Sequence, residues 1–242
     1  FATARTRFRE IVTSLRPGET VTVDFQRPAD QQFLAAGTET CGPVTNGVAA
    51  CTVSYTIGQL SDNDFITFFV VPYLAGVIIF GIGLVTFWLR PNHSPARLVA
   101  VIAALLAVFM AGAYDNNNTY QLGGVWLLAI NFVAAPVTML ALIFPYQARR
   151  VTQYPWLFLA PVAACGIVFL FAVTRYLSPP DPWSYPATWQ SGIILAALAV
   201  GFLAWMLNRH RMRATSSIVR DQCNTVLIGL TITAAPIMIW VL

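Results

Sequence analysis

From Phe65 onward the chain alternates long apolar runs with short polar connections. Six runs are legible, over about 65–89, 98–114, 122–145, 156–176, 189–207 and 225–242. A helix needs about 20 apolar residues to cross a bilayer core, so each run predicts a transmembrane span. The second is short and is expected to continue past its apolar stretch, and the sixth is expected to be cut off at Leu242.

Residues 1–63 follow another grammar. Phe8, Ile11, Val12 and Leu15 recur at helical spacing within Arg5–Leu15, which predicts a short amphipathic helix. Arg16-Pro17-Gly18-Glu19 predicts a turn. Val21, Val23 and Phe25 then alternate with Thr22, Asp24 and Gln26, the pattern of a half-buried strand, and Ala50–Ile57 alternates again as its partner. The stretch between them is polar and contains an Asn46-Gly47 turn signal. So few strands make a poor core unaided, so the rest of this small domain is expected upstream of Phe1. Cys41 and Cys51 bracket the turn. Outside the membrane such a pair closes a disulfide worth about 2–3 kcal/mol of loop entropy, or stays as two thiols.

Charge then orients the spans. Arg90, Arg97, Arg149, Arg150, Arg209, Arg211, Arg213 and Arg220 all fall in alternate connections, while the others carry Asp115 and Asp181, with Arg175 at a helix edge. Arginine in short loops resists export, so the segments 90–97, 147–153 and 208–222 are expected to be cytoplasmic and residues 1–63 extracytoplasmic. Composition agrees: 57% of residues are hydrophobic and 10% charged, against about a quarter charged in soluble domains. All 14 basic residues are arginine, and their net excess of +4 is accounted for by one set of loops. No basic patch interleaved with exposed aromatics points to nucleic acid.

Within the spans, Pro72, Pro136 and Pro161 mark either hinges or static kinks. Ala103, Ala107 and Ala111 form a small-residue stripe, and Gly76, Gly81 and Gly83 thin the first span, which marks close helix contacts within the bundle or between subunits. Asn131 is the strongly polar side chain deep in a span and is expected to form an interhelical hydrogen bond, with a ligand contact as the alternative. No ionisable residue occupies the middle of a span, which argues against pumps and proton-coupled carriers. His93 and His210 are expected as solvated loop residues, so haem or chlorophyll ligation has no support. Cys165 and Cys223 are expected to pack as small apolar side chains. Trp183, Tyr185 and Trp189 are candidates for an outer ligand contact or for interfacial anchoring. Asn117-Asn118-Thr119 matches a glycosylation sequon without further support. No catalytic, cofactor or metal constellation is present.

Four segments together resemble one family. LRPGETVTVDFQR (Leu15–Arg27) resembles the closing helix, turn and strand of a PDZ-like domain. FITFFVVPYLAGVIIFGIGLVTFWLRPNHSPAR (Phe65–Arg97) is similar to a span with an Ile-Gly pair followed by Arg-Pro and Ala-Arg in ComP-like bacterial sensor histidine kinases. LIFPYQARR (Leu142–Arg150) resembles the Phe-Pro-basic ending of that family's third span, and IVRDQCNTVLIGLTITAAPIMI (Ile218–Ile239) resembles its Arg-x-Gln entry into a late span. The resemblance implies a PDZ-like outer domain, a multi-pass bundle in the bacterial cytoplasmic membrane and a kinase beyond these residues. It departs from the family in the longer insertion from Cys41 to Cys51. No phosphoacceptor His box or ATP-binding box occurs in the 242 residues.

The sequence therefore predicts a mainly α protein: a polytopic bundle over 64–242 and a small α+β, PDZ-like segment over 1–63, incomplete at its N-terminus. The function expected is a sensory input region, with the lipid bilayer, a homodimer partner and an extracytoplasmic peptide or lipid ligand as partners. The rival is a non-catalytic structural subunit of a photosynthetic or respiratory complex. A transporter or membrane enzyme is disfavoured by the missing chemistry. Compartment reporters inserted after Tyr120 and after Met212 are expected on opposite sides of the membrane. Finding both in one compartment overturns the orientation.

Overall fold

The structure, a computed structural model, describes residues 15–16, 18–28, 39–45, 47–58, 61–117, 122–146, 149–177 and 186–241. It is mainly helical and divides into two compact units, Ala2–Phe65 and Ile66–Leu242.

The first unit holds three antiparallel strands, β1 (Thr20–Pro28), β2 (Glu39–Cys41) and β3 (Val48–Thr56), in the order β1-β3-β2. The expected amphipathic helix at 5–15 falls almost wholly outside the described residues. The expected turn at 16–19 is closed by Glu19 N–H to the Arg16 carbonyl at 3.1 Å, with Arg16 N–H on Glu19 Oε2 at 2.9 Å. Gly18 takes φ +92°, the left-handed conformation that the third residue of a type II turn demands. Gly18 N–H then reaches the Ile57 carbonyl, so the turn is tied to the strand that β1 pairs with.

Alternation decides the two faces of this sheet. Val21, Val23 and Phe25 sit opposite Tyr55, Val53 and Cys51. On the other face Thr20, Thr22 and Asp24 oppose Thr56, Ser54 and Thr52, and Thr52 Oγ1 donates to Asp24 Oδ1 at 2.8 Å. Cys41 lies directly opposite Cys51 in the β2–β3 ladder, and the two form a disulfide. Thr45 and Val48 exchange both backbone hydrogen bonds around a two-residue turn, where Gly47 takes φ +77°. The bridge therefore closes the base of a tight hairpin, with Cys51 buried in the apolar face.

The second unit is helical. A continuous helical rod runs from Asp62 through a π-helical stretch, Ile66–Val70, into α1 (Val71–Leu89). Pro72 explains the π turn: it has no N–H for the Phe68 carbonyl, and the wider turn absorbs the lost bond. The remaining long helices are α2 (Ser94–Asn117), α3 (Gly123–Phe132), α4 (Ala134–Ile143), α5 (Ala160–Leu177), α6 (Pro186–Arg213) and α7 (Ser217–Val241). α3 and α4 form one rod interrupted only at Val133, whose backbone stays helical. Pro136 cannot bond the Phe132 carbonyl, which accounts for the break. Pro161 is the second residue of α5, where no donor is required.

Among the described residues, four stretches are long and apolar enough to cross a membrane: Asp62–Leu89, Ser94–Gly112, Gly123–Ile143 and Thr188–Arg213. Ala160–Tyr176 is apolar but shorter. Several helices outrun their apolar cores. α2 continues through Asp115, and α6 and α7 absorb most of the expected loop 208–222, leaving Ala214–Ser216 between them. Arginine and asparagine are compatible with helix, so polarity ends the apolar run without ending the rod.

The central rod α3/α4 packs on α2, α5 and α6, whereas α1 packs on α2 and α7 on α6. Ala134, Ala135, Ala141, Cys165, Ala199, Leu203, Leu207 and Cys223 form its main buried cluster. Both free cysteines are thus small apolar packing residues. Large apolar side chains of α1, such as Ile78, Ile82 and Trp88, remain exposed, as a lipid-facing helix requires. The hydroxyls of Thr86, Thr138, Thr225 and Thr231 each return to the carbonyl one turn back, so they present no unpaired donor to hydrocarbon.

The small residues mark contacts inside the bundle. A β-carbon at Gly83 would collide with Cβ of Ala103, and one at Gly76 would lie 3.1 Å from the Ala107 carbonyl oxygen. Gly81 faces open space. Gly83→Leu is therefore expected to destabilise the bundle by about 1–3 kcal/mol through overpacking, while Gly81→Leu stays near neutral. Denaturation in detergent micelles measures both, and equal losses would remove the claim that α1 and α2 depend on this approach.

Candidate functional site

The three arginine-bearing connections meet at one end of the helical unit. The α1–α2 turn is set by Arg90-Pro91-Asn92-His93, with His93 N–H on the Arg90 carbonyl at 3.1 Å. Arg97, in the first turn of α2, reaches back and donates Nε–H to the Pro91 carbonyl at 2.6 Å, locking the turn. The second connection forms a short helix, Arg149–Gln153, followed by a 3₁₀ turn, Pro155–Phe158. The third is the α6–α7 corner. Residues from all three line one cavity of about 1070 Å³, among them Arg90, His93, Thr152 and Gln222. Its walls are apolar and come from α2, α4, α6 and α7, including Val99, Leu140, Leu203 and Val226.

Of the eight arginines expected to set the orientation, Arg90 lines this cavity and Arg97 braces its turn. Arg149 and Arg150 open the short helix, and their side chains lie outside the described residues. Arg209, Arg211 and Arg213 occupy the last turns of α6, and Arg220 the first turn of α7. The Arg209 guanidinium stands 5.5 Å over the Trp205 ring, a cation–π contact beside an exposed indole. His210 is not a solvated loop residue. It lies on α6 with its ring edge-on to Tyr146, and its buried Nε2 has no hydrogen-bond partner among the described residues.

Deep in the bundle the expected interhelical bond of Asn131 is not formed. Asn131 is fully buried, and its Nδ2 donates at 2.9 Å to the Leu127 carbonyl of its own helix. Its Oδ1 is buried with no hydrogen-bond partner among the described residues, and it points toward Gly192, where a β-carbon would stand 3.2 Å away. An asparagine one turn after a carbonyl can satisfy its amide locally, and only one of its two polar atoms gains from doing so.

The indole of Trp126 supplies the cross-helix bond instead. Nε1–H donates to the Phe109 carbonyl of α2 at 3.1 Å, and the Phe109 and Trp126 rings stack 5.5 Å apart. Gly112 makes room: its β-carbon would lie 2.8 Å from Trp126 Cδ1. A tryptophan in an apolar run carries no periodic signature, so the sequence ranked the more polar asparagine above it. Trp189, a candidate ligand contact, packs against the buried cluster of Trp126, Leu127, Ile130 and Ala172. Trp183 and Tyr185 lie outside the described residues. At the opposite end from the cavity, Asp115 Oδ2 accepts the Leu122 N–H at 2.6 Å and so caps the entry to α3.

Among the described residues no group of three or more His, Cys, Asp or Glu side chains gathers. The arrangement offers a mixed polar and apolar cavity at one end of a bundle. No family, characterised protein or solved structure matches the chain.

Trp126→Phe is expected to cost about 1 kcal/mol, the net value of a buried hydrogen bond. Asn131→Leu removes an unpaired acceptor at little change in shape and is expected to be neutral or stabilising. Unfolding midpoints of the two variants in micelles test the ranking. A larger loss at Asn131 than at Trp126 would reinstate asparagine as the bridging group.

Proposed function

We propose that this chain is the membrane-embedded sensory input region of a bacterial signal-transduction protein. In this reading a PDZ-like outer domain receives an extracytoplasmic peptide or lipid signal. Six spans in the cytoplasmic membrane, paired as a homodimer, carry it to a cytoplasmic output domain such as a histidine kinase. The observation that carries the reading is the way the chain joins a water-exposed unit to a membrane rod. Only five residues separate the end of β3 at Thr56 from the helix that starts at Asp62. After one α-helical turn, Asp62–Phe65, that helix is π-helical over Ile66–Val70, just before Pro72. A short tether leading into a wide, proline-flanked turn lets a change in strand geometry alter the entry of α1. Turns of this kind recur at functional sites. A signal biases such a device only by binding one packing more tightly than the other. The four-segment resemblance points the same way.

The test uses cells that carry the whole reading frame with a transcriptional reporter of its output. Cys41→Ser with Cys51→Ser unlocks the sheet without touching the spans, so the output is expected to shift several-fold while membrane insertion is unchanged. An unchanged output, together with copurification at fixed stoichiometry with a photosynthetic or respiratory complex, would replace the sensor by a structural subunit.

A further inference from the structure

The cavity at the arginine end joins two chemistries that one small ion or one apolar molecule would not satisfy together. Val99, Leu140, Leu203 and Val226 line it from α2, α4, α6 and α7 and offer only apolar side chains. Arg90 also lines it, with His93, Ser94 and Gln222 as further residues able to hydrogen-bond. No carboxylate is among the lining residues, so the positive charge is not balanced from within the cavity. At about 1070 Å³ the space matches the upper end of ordinary ligand sites. A guanidinium fork matches phosphate geometry, and it gains most where the surroundings are partly apolar.

We propose that this cavity binds an anionic phospholipid from the leaflet at the arginine end, with the phosphate on Arg90 and an acyl chain along the Val99, Leu140 and Val226 wall. The site stands apart from the signalling reading: it needs only that the bundle resides in a bilayer. Seated there, one lipid touches the α1–α2 turn, the end of α4 and the start of α7 together, and so ties the three connections.

The test uses the delipidated chain in neutral detergent, with short-chain phosphatidylglycerol, short-chain phosphatidylcholine and inorganic phosphate as separate probes. Native mass spectrometry reads binding and thermal unfolding reads stabilisation. Phosphatidylglycerol is expected to bind and to raise the midpoint, and the other two are not. Arg90→Gln is expected to weaken phosphatidylglycerol about tenfold or more, the loss of one charge-assisted contact. Val226→Trp, which fills the apolar wall and leaves the charge in place, is expected to do the same. Arg211→Gln removes an equal charge outside the lining and is expected to leave binding within about twofold, as for other screened surface charges. Equal binding of phosphatidylcholine would overturn the anionic head, and stabilisation by phosphate alone would overturn the lipid. Equal losses at Arg90 and Arg211, or no loss at either Arg90 or Val226, would overturn the site.

Discussion

Hydrocarbon offers a helix neither water for its polar groups nor a hydrophobic reason to leave the lipid, and the helical unit is organised around that constraint. Every rod must close its own backbone, and rods must hold one another by close approach. The central rod α3/α4 meets this with a run of alanines, Ala129, Ala134, Ala135 and Ala141, all buried. Its neighbours meet it with glycines: Gly192 comes against the Ile130 carbonyl and Gly112 against the Trp126 ring. The same economy appears between α1 and α2, where Gly83 and Gly76 seat on Ala103 and Ala107. Threonine hydroxyls and the Asn131 amide turn back on their own helices, so the polar groups impose few cross-helix demands. Trp126 does bond across helices, and its indole N–H ties α3 to α2.

The strand unit lives under the opposite rule. Its apolar face is small, and Val23 and Tyr55 remain largely exposed. The hydrophobic contribution of three short strands is modest, so a covalent tie across β2 and β3 and a threonine–serine ladder on the polar face carry a larger share of its order. Two units with such different sources of stability respond differently to reductant, denaturant and lipid.

Much of this was open to reading from the chain, and the reason is locality. Strand alternation, the Gly18 turn and the Asn46-Gly47 hairpin involve neighbours two to four positions apart, and the paired Cys41 and Cys51 lie across that same hairpin. The apolar runs follow from the length of a helix that spans a bilayer. The rod ends were harder, because α2, α6 and α7 continue as helix where their hydrophobicity stops. A hydrophobic run reports the lipid boundary, and backbone hydrogen bonding alone reports the end of a helix.

Residue order and chemistry thus settled that apolar rods follow a small strand pair with two cysteines placed to bridge, and that guanidinium groups collect in alternate connections. Tertiary packing decided the rest: that those connections surround a single cavity, that Asn131 serves its own helix, and that a tryptophan and a glycine far apart in the chain fit together. Periodicity is a property of one segment and can be read along it. The match between an indole and a carbonyl on another rod depends on how two segments are rotated and offset, and no pattern within either segment encodes that.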